Sequence, residues 1–496
     1  MLKTSQHEKL DKKECKALLK PLKEELFKLQ QSIKSSKLPV MIVFEGFGGA
    51  GKGDVINSLI SELDPRFFDV ISNLPLDCSG NNKPFLYRYW RDIPSYGIIS
   101  ILNRSWYQQT VNQCFEDEIS KKQLEKRYES IKTFERQLSD DGYLIIKIFL
   151  NIDKKEQHKR FEKLLSSDVT SWRVNEKDIK HNRNFDKYSE IFDNLLEKTS
   201  TVYAPWHVID STDKSYAKLE VLRLVVNTIN ARLTLNATGI GGKITAKVTP
   251  EKFEIIENKK LMDVDLSPFL DDDKYEKELD KQQKKLYQLQ NIAFVKKVPV
   301  IIAFEGWDAA GKGGAIRRVS SALDPRGYDA VPISAPQGDE ANKHYLWRFW
   351  NHVPSNGSFT IFDRTWYGRV MVEKIEKFTC EKRCSQAYQE INEFEKELYD
   401  GGMIILKFWL HISKEEQEKR FNDRKNNPEK QWKITDEDWR NRDKWDEYEK
   451  AVDEMIEKTS TTFAPWNIIG GNDKKYARIK VLKIINKALE KRLQND

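Results

Sequence analysis

Apolar and polar positions along this chain follow two periods, one of strands and one of helices. Residues 300–304 (VIIAF) form an unbroken apolar run of strand length, the pattern of a strand buried on both faces. Ahead of it, residues 271–294 carry apolar side chains at three- and four-residue steps, which predicts an amphipathic helix. A short second strand is expected to end near Pro332. Apolar runs at 359–362 and 403–410 predict a third and a fourth strand, and a last short one follows Ala464-Pro465-Trp466. Charged, helix-like sequence fills 413–459. The same series stands earlier in the chain: a helical stretch at 11–34, a strand ending near Pro75, apolar runs at 98–102 and 143–150, a charged region at 153–199, then Ala204-Pro205-Trp206.

The two series are copies. Residues 39–52, PVMIVFEGFGGAGK, mirror residues 299–312, PVIIAFEGWDAAGK, and matched positions from Lys52/Lys312 to Trp206/Trp466 all lie 260 apart. A constant offset over that distance means one domain repeated with few or no gaps. The expected boundaries are a first domain at 1–231, a linker at 232–270 containing Thr238-Gly239-Ile240-Gly241-Gly242, and a second domain at 271–496. Strands alternating with helices predict an α/β fold: two tandem P-loop kinase-like domains, each a parallel sheet flanked by helices with a helical lid, at about 413–459 in the second.

Composition narrows the class. At 496 residues, with 39% hydrophobic and 32% charged, the chain can bury packed cores. No run approaches the ~20 apolar residues of a membrane span, and the opening MLKTSQHEKLDKKECK lacks the apolar core of a signal peptide. Five sparse cysteines, without partners at zinc spacing, predict reduced thiols and a cytoplasmic location. A net charge of +7 permits a polyanionic substrate. No RNA-binding signature or zinc finger is present, so nucleic acid is not the expected partner.

The chemistry concentrates in the second copy. Gly306, Gly311 and Lys312 give G-x-x-x-x-G-K, the Walker A loop, between a strand and a helix. Its backbone, with Gly306, Ala309, Ala310, Gly311 and Gly313 as the cradle, forms a positive nest for phosphate oxygens. The usual Ser/Thr after the lysine is Gly313 here, so Mg²⁺ must find oxygen elsewhere. Asp308 inside the loop is the obvious supplier. Asp363 at the tip of the third strand, in the Walker B place, is the expected second anchor. Arg364 and Arg369 offer guanidinium forks suited to phosphate, and Arg348 is a candidate for an acceptor phosphate. Tyr345, Leu346 and Trp347 either stack on a base or fill core. Lys and Arg crowd the lid, where they can close over phosphates.

Taken together, FEGWDAAGKGG, Ala335-Pro336 with Tyr345-Leu346-Trp347-Arg348, Ile361 to Tyr367, Trp432-Lys433 with Asp438-Trp439, and Ala464-Pro465-Trp466 resemble the polyphosphate kinase type 2 family. The tandem layout is similar to its fused two-domain branch, the polyphosphate:AMP phosphotransferases. The resemblance implies Mg²⁺-dependent (or Mn²⁺-dependent) transfer of the terminal phosphoryl group of inorganic polyphosphate to a nucleotide, AMP first. It implies functional roles for Asp308, Lys312, Asp363 and Arg364, with lid basics at Arg420, Arg424 and Lys433. The expected partners are polyphosphate and a nucleotide, and a homo-oligomer stays open. The alternatives are a polyphosphate-dependent nucleoside diphosphate kinase, an ATP-dependent nucleoside monophosphate kinase, and a polyanion-binding regulator without turnover.

The first copy departs at the carboxylates. Gly48 stands for Asp308, Asn103 for Asp363, Gln109 for Arg369, Leu164 for Arg424, and Ser79-Gly80 for Asp339-Glu340. Asn offers a hard divalent ion only a neutral oxygen. The first domain is therefore expected to fold and to be catalytically silent.

Overall fold

A computed structural model describes residues 2, 11–72, 83–238, 251–434 and 436–494. The chain divides into two compact units, the first built mainly from Met1–Asp77 and Arg88–Thr249, the second mainly from Pro250–Gln337 and Tyr345–Asp496.

The first unit contains β1 (Val40–Gly46), β2 (Phe68–Ser72), β3 (Ile99–Asn103), β4 (Leu144–Asn151) and β5 (Trp206–Asp210). The second contains β6 (Val300–Gly306), β7 (Tyr328–Pro332), β8 (Phe359–Asp363), β9 (Ile404–His411) and β10 (Trp466–Gly470). Each set forms one five-stranded sheet, in the orders β2-β3-β1-β4-β5 and β7-β8-β6-β9-β10. All pairings are parallel. The inner strands β4 and β9 are buried at every position, which is why they read as apolar runs, each broken by one lysine. Edge strands β2 and β7 are buried at none. Pro332 closes β7 as expected, whereas Pro75 lies outside the described residues.

The opening helices Lys12–Ser36 and Asp272–Val295 match the predicted amphipathic stretches. They pack against helices Lys214–Ala237 and Lys474–Gln494, which follow the last strands. Periodicity did not mark these closing helices, because their apolar residues spread around the axis rather than along one stripe.

Two expectations change. The closing helix of the first copy runs to Ala237, into the stretch set aside as linker. Further on, Ile255 bridges Thr461, the Ile256 N–H donates to the Ser460 carbonyl at 2.7 Å, and Leu261 is 1% exposed. This part of the supposed linker is an extended segment docked on the second unit. Gly239 to Gly242 lie outside the described residues. The region 413–459 is likewise not all lid. Helix Trp445–Thr459 buries Trp445, Ala451, Val452, Met455 and Ile456, so its apolar face belongs to the core. The rest of the region holds helix Lys414–Asn426 and the short helix Asp436–Asp443.

Among the described residues no helix is long and apolar enough to cross a membrane, and Cys15, Cys114, Cys380 and Cys384 are free thiols.

Candidate active site

β6 ends on Gly306, where φ is +148° and an added Cβ would lie 2.5 Å from the Leu410 carbonyl oxygen. Only glycine permits that approach to β9. The loop turns through Ala309 (φ +61°) and Gly311 (φ +110°) into helix Lys312–Ser320, the backbone of an anion nest. Lys312 Nζ donates to the carbonyls of Gly306 and Trp307 at 2.6 and 3.2 Å. The Asp308 carboxylate is 16% exposed and accepts from Arg364 Nη2 at 3.3 Å. Its other oxygen accepts from Asn441 Nδ2 at 3.0 Å.

The Asp363-Arg364 turn is built from beneath. Asp363 closes β8 beside Phe304 of β6. Arg364 takes a left-handed φ of +65°, and its N–H donates to the Phe304 carbonyl at 3.1 Å. A non-glycine residue held there stores strain, so the surroundings must impose it. Buried Glu305 does so, accepting from both the N–H and Oγ1 of Thr365 at 2.7 Å. Burial pushes the Glu305 carboxyl up, opposed by the Thr365 hydroxyl, Lys312 and Arg364. Deeper, Lys407 Nζ donates to Glu395 Oε2 at 2.8 Å and to the Tyr367 hydroxyl at 2.7 Å, and Tyr367 donates to Glu395 Oε1 at 2.7 Å. The first copy repeats this frame with Glu45, Ser105, Tyr107, Glu135 and Lys147. Sequence reasoning missed these groups. The signal was a Glu and a Lys inside apolar strands, each repeated at the same offset.

Asp308, Lys312, Gly306 and Arg364 line one cavity of about 90 Å³ together with Trp307, Met371, Val372, Trp409 and Tyr448. Asp363 stands at the adjoining strand tip. Ala309, Ala310, Gly311 and Gly313 form the loop and helix start. The remaining arginines sit elsewhere. Arg348 is 8% exposed and its Nη1 donates to the Ser334 carbonyl at 2.9 Å. Arg369 pairs with Glu373 at 2.9 Å and lies over the Tyr345 ring. Tyr345 and Leu346 are core, so these two fill space rather than reading a base, whereas Trp347 is half-buried.

Arg420 corrects a sequence expectation. Its five N–H donors meet Glu416 and the carbonyls of Ala309, Ala310, Gly471 and Asn472, at 2.7–3.0 Å. A guanidinium has only five donors, so Arg420 braces the loop and has none left for a phosphate. Arg160 does the same in the first copy. Arg424 lies half-buried on the same helix as Arg420. The Lys433 side chain lies outside the described residues.

A basic cluster flanks the loop helix of the second copy. A Cβ on Gly314 would lie 3.1 Å from Arg478 Nη2, so this glycine leaves room for the guanidinium. Burial, then Arg420 and Arg478, pull the Lys474 ammonium below its usual pKa. In the first copy Asp54 replaces Gly314 and pairs with Lys214 at 2.8 Å, and Leu164 replaces Arg424. The first loop differs at its mouth as well. A Cβ on Gly48 would lie 3.0 Å from Asp178 Oδ1. Lys52 is 8% exposed, and burial and then Arg104 push it down to about 7.

A parallel sheet with a glycine loop after its first strand and a strand-tip Asp-Arg define the class of phosphate-loop phosphotransferases. Within that class the chain belongs to the family of polyphosphate kinase 2 (PPK2), whose model matches residues 9–236 and again 269–496. It is 39% identical over 492 residues, 98% of either chain, to the polyphosphate:AMP phosphotransferase of Pseudomonas aeruginosa. It is 34% identical to the enzyme of the same name from Acinetobacter johnsonii, over 92% of each. A crystal structure of a polyphosphate kinase 2 from Pseudomonas aeruginosa PA01 superposes with a TM-score of 0.85 at 38% identity, covering 99% of this chain and 98% of that one.

Proposed function

We propose that the chain is a cytoplasmic polyphosphate:AMP phosphotransferase whose second copy moves the terminal phosphoryl group of inorganic polyphosphate to AMP, giving ADP. The observation that carries the reading is the cavity that gathers Asp308, Lys312 and Arg364 in the second copy. The same positions of the first copy hold Gly48, Lys52 and Arg104, without the carboxylate.

Kinases of this family depend on a divalent metal, which we take to be Mg²⁺. Among the described residues no three His, Cys, Asp or Glu gather as a metal site. One or two carboxylates with phosphate and water completing the shell is the habit of Mg²⁺, and Asp308 and Asp363 fit it. Asp308 and Asp363 would hold such an ion beside the phosphates, where it would supply positive charge against the negative charge that develops in transfer.

The chain's own groups do the rest. The loop nest and Lys312 hold phosphate oxygens, for which the lysine exchanges its carbonyl partners. Arg364 faces the charge on the transferring group. The apolar wall of Met371, Val372 and Trp409 has no use to a bare polyphosphate and suits the nucleoside of the acceptor. The donor then lies toward Arg424, Lys474 and Arg478, whose mutual repulsion a polyanion relieves.

The test is purified protein with Mg²⁺, AMP and either polyphosphate or ATP, followed for ADP. Formation with polyphosphate alone is expected. Formation with ATP alone would make it a nucleoside monophosphate kinase, and none with either would leave a binding protein.

A further inference from the structure

One contact between lid and loop occurs in the second copy and is lost from the first. Asn441, on helix Asp436–Asp443, donates from Nδ2 to Asp308 Oδ2 at 3.0 Å. The Tyr448 hydroxyl donates to Asn441 Oδ1 at 3.3 Å, so the amide is oriented with its N–H toward the carboxylate. Arg364 holds the opposite oxygen at 3.3 Å.

The adjacent residue does something different. Arg442 Nη1 donates to Gln417 Oε1 at 3.3 Å, and Gln417 Nε2 donates to the backbone carbonyl of Asp308 at 3.1 Å. The first copy keeps this hold on the backbone. Asn182, 260 residues before Arg442, donates to Gln157 at 2.8 Å, and Gln157 donates to the Gly48 carbonyl at 2.9 Å. The hold on the side chain is gone. Gly48 has no carboxylate, and His181, in the place of Asn441, stacks on Tyr188 with ring centroids 4.0 Å apart. Loop and lid therefore keep their fold without the amide. What disappears together with the amide is the carboxylate.

We propose that Asn441 is a positioning residue for phosphoryl transfer: from the lid helix it fixes the orientation of the Asp308 carboxylate, so that lid closure completes the site. With one oxygen on Arg364 and the other on Asn441 the carboxylate cannot rotate. When the lid lifts, Oδ2 loses its donor. The inference rests on the role given to Asp308 under Proposed function. Loss of an outer partner of a metal-binding carboxylate typically lowers affinity or activity about 10–100-fold.

The experiment uses the full chain as wild type, Asn441→Ala, Asn441→His (the residue of the first copy), Asp308→Asn and the Asp308→Asn/Asn441→Ala pair. It measures kcat, both KM values, the melting temperature, and Mg²⁺ binding without turnover. Trp307 stacks on Trp445 with centroids 3.8 Å apart and is next to Asp308, so tryptophan fluorescence reports on the binding. Both Asn441 variants should lose about 10–100-fold in kcat and need more Mg²⁺ for the fluorescence change. The melting temperature and the polyphosphate KM should hold. The paired variant should be no worse than Asp308→Asn, because groups acting through one another are non-additive. A kcat within two-fold of wild type, a loss undiminished in the Asp308→Asn background, or a loss that follows a fallen melting temperature would each overturn the proposal. Near-normal turnover of Asp308→Asn itself would bring down the role of Asp308, and Asn441 with it.

Discussion

Asp363 and Asn103 occupy the same strand tip in the two copies and differ in charge far more than in shape. The following arginine is left-handed in both, at φ +65° and +67°, so the turn does not need the carboxylate. Asp363→Asn should leave the fold intact and lower kcat on the order of 10²–10³-fold, the usual loss for one transition-state electrostatic contact. Turnover near wild type at saturating Mg²⁺ would contradict a metal role. His411 makes a pH prediction. Its Nδ1 accepts from Trp307 Nε1 at 2.9 Å, and burial holds its pKa at about 4. The unfolded chain titrates this imidazole near 6.5, so between about 6.5 and 4 it binds the proton and the folded chain does not. Stability falls as pH drops through that window, by up to about 3 kcal/mol for this one group. His411→Asn, which copies Asn151, should flatten the acid limb in pH-dependent melting. His181, also held at about 4 by burial, leaves a residual slope. An unchanged limb would mean that His411 is protonated in the folded protein.

Helix Lys414–Asn426 carries two arginines with separate tasks. Arg420 points its fork at carbonyls under the loop, whereas Arg424, like Arg478, is near enough to act on Arg420 by charge. Arg420→Ala strands buried carbonyls, and one stranded buried polar group costs about 1–3 kcal/mol. A lowered melting temperature should accompany its loss of activity. Arg424→Ala and Arg478→Ala should leave melting alone, raise the polyphosphate KM more than the AMP KM, and weaken its rise with salt, since salt screens attraction between charges that reach solvent. Equal changes in both KM values would remove these two from the donor path.

At the scale of the molecule the duplication sets two glycine loops in one chain, only one of them equipped. Lys312→Ala should remove most turnover, and Lys52→Ala should leave it within a few-fold. Burial and then Arg104 push Lys52 down to about 7, Asp178 stands close to the loop, and Asp54 answers Lys214. A large loss from Lys52→Ala, measured as kcat at fixed melting temperature, would show that the first loop still handles phosphate.

The buried strand runs, the repeat at 260 residues, the glycine loop and the missing carboxylates of the first copy were all legible in the sequence, because each is a local pattern of apolar runs or of side-chain charge. The closing helices escaped, since a helix enclosed on several sides shows no single stripe. The charged stretch 413–459 read as one lid because charge says nothing about which face of a helix meets the core. Arg420 and Arg424, four residues apart, look alike in sequence. Only the packed structure sends one beneath the loop, where backbone carbonyls saturate it, and leaves the other in the basic cluster. Asn441 lies 133 residues from Asp308. A neutral amide carries no charge or period to flag it, and its partnership exists only once the chain has folded the lid over the loop.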